Sequence, residues 1–231
     1  MQVTLSILDI LPATPRARIV RLDLAGSSLP YDAGQAVYVG MHGSGRRKPY
    51  SIAASPEDAA RDGWLELLIG VDEQGDAGDH LALEPATRVD VDGPIGAFTF
   101  PRDVRERRLL FVAGGTGIAP LRAMLRHALI QPQRKIGLLY SARTPAEFAY
   151  EAELRGLAVE GRIELRQTVT RTGDDDWQGG RGRIGIAELA PLVHDPETLC
   201  FVCGPPSLVD DIPRLLQELG VARDRIRLEE W

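Results

Sequence analysis

Cysteine is nearly absent: the 231-residue chain has two, Cys200 and Cys203. Their C-x-x-C spacing invites a redox or zinc reading, and the local sequence argues against both. Thr198-Leu199-Cys200-Phe201-Val202-Cys203 reads as a buried strand. Residues three apart on a strand point to opposite faces and sit roughly 10 Å apart, at about 3.3 Å per residue. A disulfide needs Cα atoms within about 7 Å. Zinc needs two further ligands, and an iron–sulfur cluster normally takes four cysteines. His42, His80, His127 and His194 are scattered. Each reads as a surface or packing histidine, so no metal site is expected. Also missing is any apolar run near the roughly 20 residues that span a bilayer. The opening segment has no basic stretch followed by an apolar run and a cleavage site, which predicts no signal peptide and a cytoplasmic protein. Excess positive charge is absent too. The formal net charge is -6, against the basic footprint that general nucleic-acid binding requires. Lysine occurs only twice, at Lys48 and Lys135. No internal repeat or low-complexity segment is present. What remains is long enough for one large domain or two small ones.

The first hundred residues read as short, mostly alternating strands: 3–10, 18–24, 35–41, 49–53, 64–71, 88–91 and 97–100. Turn residues such as Gly26-Ser27-Ser28 and Asp92-Gly93-Pro94 separate them. This pattern predicts an antiparallel barrel or sandwich without a long helix. The pattern then changes. Leu109-Leu110-Phe111-Val112-Ala113 is a continuous apolar run, as in a strand covered on both faces. Gly114-Gly115-Thr116-Gly117 follows, and Ile118, Leu121, Leu125 and Ala128 then fall on one helical face. Pro120 sits where a first helical turn tolerates proline. Further strands are expected at 136–140, 162–169 and 199–203, and strand alternating with helix implies a parallel sheet. The charged stretch 101–108 divides the chain into domains 1–102 and 103–231. Residues 207–219 read as a helix, with a break expected near Pro213, because proline inside a helix removes a backbone hydrogen bond.

Two segments carry chemistry on their own residues. Lys48-Pro49-Tyr50-Ser51 follows a glycine-rich basic loop containing Arg46 and Arg47. It offers a cation for a phosphate, a ring to stack on a flat cofactor and a hydroxyl for a polar ring edge. By itself a solvated loop leading into a strand explains it as well. Gly114-Gly115-Thr116-Gly117 joins a buried strand to a helix. Glycines there let a phosphate approach the backbone, and the helix N-terminus favours its charge. The pattern is not G-x-G-x-x-G, so it is no standard dinucleotide fingerprint.

Taken in order, the motifs resemble those of the ferredoxin–NADP⁺ reductase superfamily. Ala33-Gly34-Gln35 is similar to its P-G-Q, Lys48-Pro49-Tyr50-Ser51 to its R-x-Y-S, and Gly93-Pro94-Ile95-Gly96-Ala97-Phe98 to its G-P-x-G-x-F. Gly115-Thr116-Gly117-Ile118-Ala119-Pro120 and Cys203-Gly204-Pro205-Pro206 match its G-T-G-I-A-P and C-G-P-P. The resemblance spans essentially the whole chain. It implies an N-terminal antiparallel Greek-key β-barrel that binds FAD and a C-terminal Rossmann-like α/β domain that binds NAD(P)H. It implies flavin contacts from Lys48, Pro49, Tyr50, Ser51, Leu68, Ile69, Gly70, Gly75, Ala77 and Gly78. Nucleotide contacts are implied from Gly115, Thr116, Gly117, Pro120, Arg143, Cys203, Gly204 and Pro205. In Leu228-Glu229-Glu230-Trp231, Glu229 matches the family's active-site glutamate and Trp231 the aromatic that covers the flavin. Ser51, Cys203, Glu229 and Trp231 are therefore the implied transfer-site residues.

Two departures stand out. Lys48 occupies the family's arginine position, and lysine is a point charge without the planar bidentate fork. Arg47, next door, is the alternative cation for the flavin diphosphate, and the sequence leaves the choice between the two open. In Gly75-Asp76-Ala77-Gly78 the family's serine or threonine is replaced by Ala77 or Gly78, depending on register. Thr170-Arg171 resembles the family's S-R at the 2′-phosphate, and Arg181 and Arg183 fall near further residues serving it. NADP(H) is therefore expected over NAD(H). The resemblance implies hydride passing from the nicotinamide to the flavin, then single electrons to a separate carrier such as a ferredoxin. The alternatives are a free-flavin or quinone reductase on the same fold, and a non-catalytic dinucleotide-binding module. Ser51, Cys203 and Glu229 argue against the last.

Overall fold

The computed structural model describes residues 1–231 apart from 28, 132–133, 172–175, 194 and 231. Strands β1 (Gln2–Thr14), β2 (Ala17–Asp23), β3 (Ala36–Met41), β4 (Lys48–Ser51), β5 (Trp64–Gly70) and β6 (Arg88–Ile95) form one antiparallel sheet in the order β4-β3-β6-β1-β2-β5. The two ends of that order meet. Ile52, just past β4, bridges Leu67 on β5, and the Ala53 N–H donates to the Glu66 carbonyl at 2.8 Å. Closure makes the sheet the expected barrel and removes the free edges that an open sheet would expose. Period-2 alternation fills its interior: Leu5 and Ile7 of β1, Val20 and Leu22 of β2, and Val37 and Val39 of β3 join one buried cluster.

Two details of this region differ from the expectation. Residues 97–100 form no strand. Phe98 and Phe100 are buried, so the apolar signal was real, but the Phe100 N–H donates to the Ala33 carbonyl at 2.9 Å rather than to a ladder partner. A short helix, α1 (Pro56–Asp62), was not anticipated. Its signals are local: Ser55 Oγ accepts from the Asp58 N–H at 3.1 Å, Pro56 opens the first turn, and Gly63 closes it at φ +80°.

The remaining chain alternates strand and helix: β7 (Arg108–Gly114), α2 (Ile118–Ala128), β8 (Lys135–Ala142), α3 (Glu151–Val159), β9 (Glu164–Val169), β10 (Gly180–Arg181), α4 (Ile186–Leu189), β11 (Leu199–Gly204), α5 (Pro206–Glu218) and β12 (Ile226–Glu230). The six strands pair in parallel in the order β10-β9-β8-β7-β11-β12. This is the expected Rossmann-like sheet. Succession runs outward from β7 in one direction and resumes from β11 in the other. The switch point, where open α/β sheets take their ligands beyond the strand carboxyl ends, lies between β7 and β11.

Helix α5 runs through Pro213 without the expected break. Its apolar stripe decides the outcome: Ile212 and Leu216 are buried against the sheet with Pro213 itself. An interior proline costs about 3 kcal/mol, and each fully buried aliphatic side chain returns about 1.5–3 kcal/mol. The chain divides into two compact units, Met1–Phe100 with Arg122–His127, and Pro101–Leu121 with Ala128–Trp231. Among the described residues, no helix is long and apolar enough to cross a membrane.

Candidate active site

In the first unit, β4 presents the Lys48-Pro49-Tyr50-Ser51 motif. Its register against β3 pairs Lys48 with Val39, Pro49 with Tyr38, Tyr50 with Val37 and Ser51 with Ala36. Lys48 and Tyr50 therefore share one face of the strand. Lys48 and Pro49 are exposed, whereas Tyr50 and Ser51 are half-buried. On β5, Leu68 and Ile69 are buried and Gly70 is exposed. The loop after β5 is organised by Asp72, whose Oδ1 accepts from the Gln74 N–H at 3.0 Å and the Asp76 N–H at 2.9 Å. Gly75 and Gly78 take φ +91° and +98°, a region L side chains rarely adopt.

The two candidates in this loop differ in their surroundings. Ala77 packs against the barrel core, and Gly78 is the exposed residue. A Cβ placed on Gly78 would stand 3.8 Å from Lys48 Nζ and 3.7 Å from His80 Nδ1. His80 is 4% exposed. Its ring stacks on Tyr50 at 5.9 Å and 13°, and its Nε2 lies 2.6 Å from the Tyr50 hydroxyl. Burial pushes the Tyr50 phenol up to about 12. Lys48, Tyr50, Gly78 and His80 thus meet in one corner.

Arg47 is occupied elsewhere. Its Nη2 lies 3.4 Å from Asp90 Oδ2 and its Nη1 3.6 Å from Asp92 Oδ2. Asp90 is buried and also accepts from Thr4 Oγ1 at 2.9 Å and the Gly43 N–H at 3.2 Å, with His42 Nδ1 2.8 Å away. Hydrogen bonds from His42, then Gly43 and Thr4, hold this carboxyl well below the usual carboxylate range.

In the second unit the glycine turn sits at the carboxyl end of β7. Gly114 is extended, Gly115 takes φ +55°, and Gly115–Gly117 form a single 3₁₀ turn into α2. Gly117 and Pro120 are buried while Thr116 is half-buried. Tyr140, which the sequence reading did not single out, braces the turn. Its hydroxyl donates to the Gly115 carbonyl at 2.9 Å and accepts from the Ala149 N–H at 3.2 Å. The signal was a tyrosine in an otherwise apolar strand, since a buried phenol seeks a partner. Burial raises its pKa and keeps it a donor.

The second glycine motif packs directly on the first. A Cβ on Gly204 would lie 3.2 Å from both the Gly114 Cα and N, and one on Gly114 would lie 2.9 Å from Pro205 Cδ. Glycine at both places lets the two chain segments touch backbone to backbone. Cys203, at the end of β11, pairs in register with Glu229 on β12. The thiol donates toward Glu229 Oε2 at 3.9 Å. Burial raises the Glu229 carboxyl to about 7 against the opposing pull of the Cys203 hydrogen bond. Burial first, and then the nearby Glu229 charge, push the Cys203 thiol well up. Cys200 belongs to the apolar cluster beneath the sheet, where burial alone pushes its thiol up to about 12.

The strand ends beyond β8 and β9 are stitched together. The Thr170 N–H donates to the Ala142 carbonyl at 2.9 Å, the Arg171 N–H to the Arg143 carbonyl at 2.8 Å, and the Gly182 N–H to the Val169 carbonyl at 2.8 Å. Arg143, Thr170, Arg171 and Arg181 are all exposed at this edge. Arg181 Nη2 donates to the Trp177 carbonyl at 3.0 Å, and Trp177 stacks on Phe148 at 5.4 Å. Trp231 and His194 lie outside the described residues.

Residues 10–100 match the oxidoreductase FAD-binding domain, and residues 111–214 the oxidoreductase NAD-binding domain. A ferredoxin–NADP reductase B from Sorangium cellulosum is 32% identical over 234 residues, covering 95% of this chain and 93% of that one. The chain belongs to the ferredoxin–NADP⁺ reductase family. It is an FAD-dependent NAD(P)H oxidoreductase. The reductase superposes on the Amycolatopsis cytochrome P450 reductase GcoB with a TM-score of 0.85 at 26% identity, over 100% of this chain and 69% of that one. A ferredoxin NADP⁺ reductase from Neisseria gonorrhoeae, solved with bound FAD and NADP, shares the fold at a TM-score of 0.80 and 22% identity, over 99% and 98% of the two chains.

Proposed function

We propose that residues 1–102 hold FAD, that residues 103–231 hold NADP(H) in preference to NAD(H), and that a separate carrier protein such as a ferredoxin receives the electrons. The Cys203–Glu229 pair carries the reading. It joins a buried thiol to a carboxyl whose pKa burial raises to about 7, at the carboxyl end of the strand next to the switch point. Groups shifted in this way are what redox and acid–base chemistry uses. The name of the Sorangium relative supports the choice of carrier.

Bound FAD supplies a two-electron acceptor for hydride and a donor for onward electron transfer. The protein's part is to bind, orient and tune. Lys48, Gly75 and Gly78 fit the flavin diphosphate: one ammonium, two glycines with positive φ, and exposed space beside Gly78. The ion pairs of Arg47 with Asp90 and Asp92 favour Lys48 over Arg47 for this role. Tyr50 and Ser51 serve the flavin ring, with Pro49, Leu68, Ile69 and Gly70 beside it. Gly115, Thr116, Gly117 and Pro120 receive the dinucleotide's diphosphate at a helix start. Cys203, Gly204 and Pro205 border the nicotinamide, where the Cys203 thiol donates toward Glu229 Oε2. Thr170 and the guanidinium groups of Arg143, Arg171 and Arg181 recognise the 2′-phosphate, for which arginine's fork is suited.

The test is anaerobic. FAD-reconstituted protein is titrated with NADPH and NADH in parallel, and the bleached product is then offered oxidised ferredoxin, free flavin and quinone. Fast bleaching by NADPH with fastest reoxidation by ferredoxin is expected. Faster reoxidation by free flavin or quinone would replace the carrier assignment, and equal use of both nucleotides would remove the NADP(H) preference.

A further inference from the structure

The three described histidines have different surroundings. His42 Nδ1 lies 2.8 Å from Asp90 and His127 Nδ1 2.8 Å from Glu57. His80 is buried, and its Nδ1 has no hydrogen-bond partner. Buried polar groups are almost always satisfied, so an exception calls for a missing partner.

The chemistry of that partner follows from the tautomer. At 2.6 Å from Nε2, the Tyr50 hydroxyl is at the distance of an O–H donating to a ring nitrogen. Its raised pKa keeps that proton in place. Nε2 is then the acceptor, and the single proton of a neutral imidazole sits on Nδ1. Burial first and the Lys48 ammonium second lower its pKa, which favours the neutral ring, against an upward pull from Asp79. The unused group is therefore an N–H donor. It borders the same space beside Gly78 as Lys48 Nζ. A donor and an ammonium around a residue with no side chain make a place for an oxyanion. The backbone is set for it as well, since the Met41 N–H donates to the His80 carbonyl at 2.8 Å and ties the loop to β3.

We infer that His80 is a ligand of the flavin cofactor's diphosphate: its Nδ1–H donates to a phosphate oxygen beside Lys48 and Gly78, while its Nε2 holds the Tyr50 hydroxyl. His80 thereby supplies the side-chain donor that the Gly75-Asp76-Ala77-Gly78 loop lacks. The inference rests on the flavin reading above and adds a residue to it.

The full-length chain, stripped of flavin, is titrated with FAD, with riboflavin, which has no phosphate, and with inorganic pyrophosphate as competitor. In the wild type, FAD should bind more tightly than riboflavin, and pyrophosphate should compete with FAD alone. His80→Gln keeps an acceptor for Tyr50 and deletes the donor. It should weaken FAD about tenfold or more, as for loss of one hydrogen bond to a charged group, and leave riboflavin unchanged. His80→Asn restores an N–H near the Nδ1 position and should recover most of the FAD affinity. Equal losses for FAD and riboflavin, or no loss for either, would overturn the inference and leave the flavin reading standing. Wild-type protein that binds neither flavin would overturn both. Nitrogen-15 spectra of the wild-type holoenzyme decide the matter without any variant. A protonated Nδ1 coupled to phosphorus is expected, and an unprotonated Nδ1 overturns the assignment.

Discussion

Cys203 Sγ lies 3.9 Å from Glu229 Oε2, the two residues paired in register on neighbouring parallel strands. Burial lifts the carboxyl from 4.5 to about 7. A raised folded-state pKa means that the folded protein holds this proton more tightly than the unfolded chain. The resulting stability is fully present below pH 4.5 and is lost as pH rises to about 7. Glu229→Gln should cancel that loss. Its Tm advantage over the wild type is expected to grow across the window and level off above it. A pH-independent difference would show that Glu229 is not shifted.

The same pair should matter to the reaction. Cys203→Ala and Glu229→Gln are expected to slow flavin reduction at saturating NADPH by about tenfold or more, a barrier change of roughly 1.4 kcal/mol. Groups that act in the transition state lower kcat and kcat/KM together. Stopped-flow traces with unchanged rates in both variants would remove them from the transfer site.

Arg171 tests nucleotide choice. Its backbone is pinned to Arg143 and its side chain is exposed at the sheet's edge. One charge-assisted hydrogen bond is worth about 1.5–3 kcal/mol, so Arg171→Ala should raise KM for NADPH about tenfold or more. The NADH value should hardly move. An equal rise for both nucleotides would rule out the 2′-phosphate role.

Gly114 tests the junction of the two glycine motifs. It has an ordinary extended backbone, so the effect of a side chain is steric alone. An added methyl would stand 2.9 Å from Pro205 Cδ and 3.0 Å from Leu208 Cδ1. Overpacking of this kind costs about 1–3 kcal/mol. Gly114→Ala should lower the unfolding free energy measured in urea by that amount and weaken NADP⁺ binding. Gly26→Ala, with open space around it but φ +75°, serves as the contrast: stability should fall without any effect on the nucleotide.

Glu66 tests a buried charge network within the first unit. It is 4% exposed, and its two oxygens accept from Arg21 Nε and Arg122 Nη1, each at 2.9 Å. Deleting one member of such a pair strands the partner's charge, at a cost of about 3–5 kcal/mol. Urea denaturation of Glu66→Ala should show a loss of that order. A loss under 1 kcal/mol would mean that water compensates both guanidinium groups.

Much of this was legible in the residues. Alternation marked out the barrel strands, and the continuous apolar run 109–113 marked the first buried parallel strand. The ordered motifs carried the family. What misled was local information without its partner. At 97–100 the apolar residues were right and the strand wrong, because a strand exists only where a neighbour completes its ladder. At Pro213 the local rule was sound, but buried contacts of Ile212 and Leu216 outweighed it. Helix α1 was signalled by Ser55, Pro56 and Gly63 and overlooked for its shortness.

By itself, then, the sequence determined the periodicities, the glycine turns and the set of chemically able side chains, because these depend on neighbours along the chain. It left open whether Arg47 or Lys48 meets a phosphate and whether Ala77 or Gly78 faces it. It also placed His80 among surface or packing histidines. Tertiary structure bears on all three. Asp90 and Asp92, more than 40 positions beyond Arg47, pair with that guanidinium, the barrel core takes the Ala77 methyl, and the Tyr50 hydroxyl occupies His80 Nε2 while Nδ1 is left without a partner. Each outcome depends on charges and contacts between residues far apart in sequence, and only the folded chain brings those together.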